Sequence, residues 1–170
     1  MPAFSSDALY LAGFVLAHAA WSVSDLSEDE LLCPLAIVER SGGRHLTRFE
    51  APSQAEAVSA GQAALKAAVA SGEPVAFAHE GTWRWPQGGH ASDDVLTVEF
   101  CDGTMDRPAM ILQRFARQMP NGQFRLLGEP SLVLEGSLLE PANARDALED
   151  LLLGVRSHPA VCDLWDAWQR

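Results

Sequence analysis

The fold is decided by the stretch VAFAHEGTWRW at residues 75–85. If its side chains alternate as in a β-strand, Phe77 and His79 share one face and Glu80 lies on the other. Pro74 precedes the segment and prevents a helix from continuing into it. We therefore predict a long strand here and interpret the neighbouring segments outward from it.

Six more segments have the composition and flanking turn residues of strands. The segment at 109–119 also fits helical spacing, but the hairpin signal Asn121-Gly122 that follows it favours a strand. The six predicted strands are Leu35–Arg40, Arg44–Glu50, Val95–Cys101, 109–119, Phe124–Leu127 and Leu132–Glu135.

The first of four predicted helices covers residues 6–22, with Ser5 or Ser6 as its N-cap. Apolar residues lie on most of its sides, which favours central burial or a dimer contact. The second helix begins with a capping box formed by Ser53 and Glu56.

Pro141 opens the third helix, because a proline at the first helical position loses no hydrogen bond. A short fourth helix near residue 165 has apolar residues at helical spacing. It contains Trp165 and Trp168, and two tryptophans at this point predict docking onto the domain or onto a partner.

The predicted order is therefore α-ββ-α-βββββ-α-α within one globular domain, residues 1–170. Short turns between consecutive strands imply a mainly antiparallel sheet of about 6–7 strands. We expect the helices to pack on one face of this sheet. The fold class is α+β, because the regular strand–helix alternation of a doubly wound sheet is absent.

The chain is acidic, with a formal net charge of −11 from 23 acidic and 12 basic side chains. A surface of this sign repels phosphate groups, which argues against nucleic acid or an anionic membrane as a partner. The charge favours a basic protein partner, although it also serves solubility alone.

Cys33, Cys101 and Cys162 are far apart and form no CxxC motif, which argues against a disulfide framework or a zinc cluster. Free thiols are typical of a reducing compartment. No Lys or Arg precedes Arg40, so the positive region of a signal peptide is missing. We expect a cytoplasmic protein without a membrane span, a cofactor or a metal.

Motifs that would specify a reaction are missing from the sequence. It has no phosphate-binding loop, dinucleotide fingerprint, nucleophile elbow or EF-hand loop. His79-Glu80 begins like the zinc motif HExxH, but Trp83 stands where the second histidine is required. Whether the protein is an enzyme stays open at this stage.

The best candidate binding constellation lies between residues 79 and 94. It combines imidazoles, carboxylates and indoles, which can bind a metal or small ligand or transfer protons. A hairpin between the strands at 75–85 and 95–101 would place part of this set in its closing loop. The candidate ligand-binding residues are His79, Glu80, Trp83, Trp85, His90 and Asp93.

Structural roles compete with this interpretation. His79 shares its face with apolar side chains, which favours a semi-buried histidine with one backbone partner. Glu80 and Arg84 are same-face neighbours and predict an exposed ion pair. Trp83 and Trp85 also suit packing between sheet and helix.

The favoured function is a non-catalytic protein-binding or accessory module, such as an inhibitor or immunity-type factor. A compatible hypothesis is a homodimer whose apolar N-terminal helix forms the interface. The alternative is a small-ligand or metal-dependent enzyme that uses His79, Glu80, His90 and Asp93 beside Trp83 and Trp85.

Overall fold

A computed structural model describes residues 4–27, 29–84, 92–117 and 123–169. Its strands are β1 (Leu35–Arg40), β2 (Gly43–Arg48), β3 (Val75–Arg84), β4 (Ser92–Cys101), β5 (Ala109–Ala116), β6 (Arg125–Leu134) and β7 (Ser137–Leu138). Its helices are α1 (Ser6–Ser24), α2 (Gln54–Ala70), α3 (Pro141–Arg156) and α4 (Trp165–Trp168).

The strands form one antiparallel sheet in the order β2-β1-β3-β4-β5-β6-β7. Helices and strands follow one another as α-ββ-α-βββββ-α-α. The predicted α+β class, the antiparallel sheet and the order of elements are confirmed.

Local sequence signals set the helix starts. The Ser5 hydroxyl accepts the backbone N–H of Ala8 at 3.2 Å, and Ser53 accepts that of Glu56 at 3.2 Å. Both serines cap donors that have no partner inside the helix. Pro141 is the first residue of α3, as predicted.

The segment at 109–119 forms β5 over Ala109–Ala116, so the strand prediction is confirmed and the helical alternative is wrong. The two segments predicted around residues 124–127 and 132–135 belong to the single strand β6, and the seventh strand is β7, Ser137–Leu138, which the sequence did not predict. The pairing of β5 with β6 shifts register between Leu112 and Arg114, and β6 pairs with β5 on both sides of this shift.

Helix α1 is buried between the sheet and α3, so of the two predicted alternatives the structure shows central burial. Contacts that come later along α1 are made with residues that come later in the chain at α3 and just beyond its end. Ser6 donates to Asp150 at 2.8 Å, and His18 contacts His158 at 3.1 Å. The two helices therefore run side by side in the same sense.

Helix α2 departs from the expectation that all helices share one face. Ala76 and Ala78 belong to the core under α1, whereas the alternating residue Phe77 packs with Leu65 and Ala68 of α2. Neighbouring strand residues point to opposite faces, so α2 covers the face opposite α1. The cause is a second apolar patch on β1 and β3.

The segment around α4 docks onto the domain. Trp165 is 1% exposed within the core, and the Trp168 ring meets Phe124 edge-on with centroids 5.1 Å apart. The docking predicted for the two tryptophans is thus within the same chain. None of the described helices is both long and apolar enough to cross a membrane.

Candidate functional site

The structure separates the two central members of the predicted constellation. His79 and Glu80 are consecutive in β3 and therefore point to opposite faces of the sheet. Glu80 lies on the face covered by α1, and His79 lies on the face that carries α2. They cannot act together on one ligand in this arrangement.

Glu80 is buried in an ion pair, with 8% of its side chain exposed. Its Oε1 accepts a hydrogen bond from Arg117 and the backbone N–H of Leu32 at 2.8 Å. The expectation of an exposed pair with Arg84 is wrong, because Glu80 points inward and Arg117 reaches it from the end of β5. Glu80 thus links β3 and β5 to the segment before β1.

His79 is half-buried beside Phe77, with ring centroids 5.2 Å apart. Its Nδ1 lies 3.1 Å from the backbone oxygen of Glu80, and this carbonyl accepts the Nδ1 proton. Its Nε2 lies 3.9 Å from Oε2 of Glu99. This position agrees with the predicted semi-buried histidine that has one backbone partner.

Trp83 and Asp93 lie directly opposite each other in the β3–β4 pair, so the predicted hairpin pairing is present. Trp83 packs against the cluster of Val95 and its neighbours. Asp93 faces the guanidinium of Arg114 at 3.5 Å. Trp85 and His90 lie outside the described residues.

The described members of the constellation therefore do not converge on one cavity. Glu80 serves an ion pair on the α1 face, while His79, Trp83 and Asp93 are distributed along the other face. Among residues 4–27, 29–84, 92–117 and 123–169, no three His, Cys, Asp or Glu side chains are grouped so that they could hold a metal ion.

A cavity of about 690 Å³ lies elsewhere, where α1 begins beside α3, and we call it the N-terminal groove. Its floor is apolar and comes from five separate parts of the chain. The floor consists of Phe4, Leu9, Met105, Leu134, Leu139 and Ala147.

Polar side chains line the rim of the N-terminal groove. Asp146 and Asp150 lie one turn apart on α3, and the other polar residues of the lining are Ser5, Ser6, Thr104 and Asn143. No Lys, Arg or His is among the described residues that line it. The groove therefore combines an apolar floor with a negative edge.

Asp102 fixes one wall of this groove. Its carboxylate accepts the backbone N–H of Thr104 at 2.9 Å and the Thr104 hydroxyl at 2.7 Å. Burial raises the pKa of this carboxyl, but the hydrogen bonds from Ser5, Thr104 and Met105 outweigh burial and lower the pKa below its ordinary value. Asp102 thereby ties the turn that carries Met105 to the start of α1.

Sequence reasoning missed this groove because its parts are distant in the chain. Asp146 and Asp150 have the i, i+4 spacing that puts two side chains on one helix face. That spacing alone is also typical of a solvated helix surface. The parallel packing of α1 and α3, which creates the cavity, has no local signature.

No protein-family model, curated protein or solved structure matches the chain.

Proposed function

We propose that the protein is a non-catalytic protein-binding module. Its N-terminal groove takes a partner segment whose apolar side chains are flanked by Lys or Arg. The observation that supports this proposal is the combination of an apolar floor with the carboxylates of Asp146 and Asp150 on the rim.

The floor suits apolar anchors of varied shape. Met105 is unbranched and polarizable, and such side chains adapt to different partners. Phe4, Met105, Leu134 and Leu139 are only partly buried, so their remaining apolar surface can be removed from water by a bound segment. Leu9 is fully buried and supports them from below.

The charge of the whole chain acts in the same direction. A net charge of −11 attracts a basic partner over distances beyond direct contact and speeds its encounter. The rim carboxylates then favour Lys or Arg beside the apolar anchors. Nucleic acid and anionic membranes are disfavoured on the same electrostatic ground.

An accessory or inhibitor role in the cytoplasm completes the proposal. Cys33, Cys101 and Cys162 are all free thiols, which supports a reducing compartment. The groove binds by shape and charge, and the proposal assigns no bond-making step to it.

A second copy of the chain, bound through α1, is the competing kind of partner. Helix α1 is covered by α3 on one side, and its large apolar side chains that stay exposed are Tyr10 and Trp21, each 40% exposed. A dimer through α1 would have to use these two rings, which lie outside the lining of the groove.

The proposal is tested with two synthetic amphipathic peptides, one of Leu and Lys and one in which Glu replaces Lys. We expect the lysine peptide alone to bind, with NMR shift changes confined to the N-terminal groove. Asp146→Asn should weaken binding about two- to five-fold, as for one rim charge. Asp163 is exposed and lies outside the groove, so Asp163→Asn should leave binding unchanged.

A steric variant separates the groove from general charge attraction. Ala147→Trp should block binding, and Ala63→Trp on the exposed side of α2 should leave it intact. Equal loss in both variants, or shift changes spread over the acidic surface, would overturn the proposal. A stable dimer that Ala147→Trp dissociates would instead assign the groove to a second copy.

A further inference from the structure

Two histidines meet where the end of α3 passes over α1. Nδ1 of His18 lies 3.1 Å from Nε2 of His158, and the ring centroids are 5.3 Å apart. The His158 ring also contacts Phe14 and Trp21, with centroids 4.9 and 5.8 Å away. His158 is 4% exposed and His18 is half-buried.

Hydrogen bonds fix the protons on this pair. The backbone N–H of Ala160 donates to Nδ1 of His158 at 3.2 Å, so that nitrogen carries no proton. In the neutral ring the proton is then on Nε2, and it is donated to Nδ1 of His18. His18 keeps its proton on Nε2, a buried atom without a hydrogen-bond partner among the described residues.

An added proton has no free position in this arrangement. The two nitrogens able to accept it are Nδ1 of His18 and Nδ1 of His158, and each already accepts a hydrogen bond. Protonation of either one places a donor against a donor. The pair can therefore gain a charge only if one of its two hydrogen bonds breaks.

The charged groups that face the pair make a further positive charge unfavourable. Arg48 of β2 acts on His18. Arg44 is further from the pair: its guanidinium lies 4.6 Å from the centre of the Phe14 ring and pairs with Glu39 at 3.2 Å. No carboxylate in the described part of the chain forms an ion pair with either imidazole. A proton added to either ring therefore finds no free acceptor within the pair and no carboxylate to offset its charge.

We infer that the contact between His18 and His158 is an acid-sensitive latch that holds the segment at residues 158–169 against α1. The segment includes the turn that His158 and Ala160 close and the docked side chains of Trp165 and Trp168. This inference does not depend on the N-terminal groove, which lies toward the other end of α1.

The direction of the pH effect follows from burial. Burial, then the neighbouring His158 and Arg48, lower the pKa of His18, and burial lowers that of His158. The unfolded or released chain therefore binds more protons near and below pH 6.5. The latch is fully stable above that pH and weakens as the pH falls toward the lowered pKa values.

The latch is tested by hydrogen exchange measured by mass spectrometry between pH 7.5 and pH 5, corrected for intrinsic rates. Between pH 6.5 and the lowered pKa values, each proton that the released segment takes up should speed the exchange of residues 158–169 about tenfold per pH unit. Helix α2 should show no such rise. His158→Gln should weaken the pH dependence, because only His18 of the pair then remains to titrate, and His45→Gln, an exposed change on β2, should preserve it in full.

A second measurement uses the unmodified protein and needs no variant to fold. Nitrogen-15 NMR of the imidazoles at pH 7.5 should show both rings neutral, with the proton on Nε2 of each. A charged ring at pH 7.5, a proton on Nδ1 of His158, or equal exchange of residues 158–169 at both pH values would overturn the latch.

Discussion

A β-carbon on Gly13 would collide with the backbone oxygen of Leu151, and it would lie 2.9 Å from the amide nitrogen of Val155. Gly154 meets the backbone of Tyr10 in the same way. The backbones of α1 and α3 approach so closely that any side chain at these two positions would force them apart.

Gly13→Ala should therefore destabilise the protein, because overpacking usually costs about 1–3 kcal/mol. This exceeds the gain of about 0.5–1 kcal/mol that alanine gives inside a helix. Urea unfolding monitored by circular dichroism measures the change. Gly61→Ala should cost less, because its new β-carbon would meet the side chain of Phe77 rather than the backbone of a second helix. A neutral Gly13→Ala variant would contradict the close approach.

The buried pair of Glu80 and Arg117 predicts an asymmetric response to substitution. Arg117→Met leaves the Glu80 carboxylate buried without its counter-charge, and should cost about 3–5 kcal/mol of unfolding free energy. Replacing both residues by Met should recover part of that loss. The control is Arg40→Met, which breaks the exposed pair with Glu73 and should cost less than about 1 kcal/mol.

Asp102 predicts an acid-dependent loss of stability. Its carboxyl has a lowered pKa in the fold, so its contribution is present above the ordinary value of 3.8 and is lost as the pH falls through the lowered value. Asp102→Asn should lower the unfolding free energy by about 1–3 kcal/mol at pH 7 and by less at pH 3. The exposed Asp106→Asn should change neither value, and an equal effect at both pH values would argue against this role.

The three thiols should react at different rates with a thiol-specific reagent at pH 7.5. Cys162 is exposed and should react first. Burial, followed by the charge of Glu50, raises the pKa of Cys33, so this thiol should be slow. Cys101 is 0% exposed and burial raises its pKa, so it should react only on unfolding. Rapid reaction of Cys101 in the native protein would contradict its complete burial.

The secondary structure was predictable because its signals are local. Ser53 and Pro141 mark helix starts by rules that act within one turn, and the strand at 109–116 follows from a turn signal just beyond it. Placing α2 on the second face required knowing that Phe77 would lack cover from α1. That depends on the whole sheet and not on any window of sequence.

The candidate site was less predictable, because polar side chains choose partners across the fold. Glu80 has a suitable neighbour in Arg84, yet it pairs with Arg117, 37 residues away, where burial strengthens the interaction. His18 and His158 are 140 residues apart, and their contact has no sequence signal. Alternation did place His79 on the correct side, since that inference needs only the period of a strand.

The side-by-side arrangement of α1 and α3 also affects how the chain folds during synthesis. On the side away from the sheet, α1 finds its cover only in residues 141–165, so it lacks this native neighbour until those residues have left the ribosome. Contacts so distant along the chain slow folding and leave apolar surface open meanwhile. We therefore expect α1 to stay partly uncovered until α3 has been synthesised, and a nascent α1 in that state presents apolar surface to a chaperone.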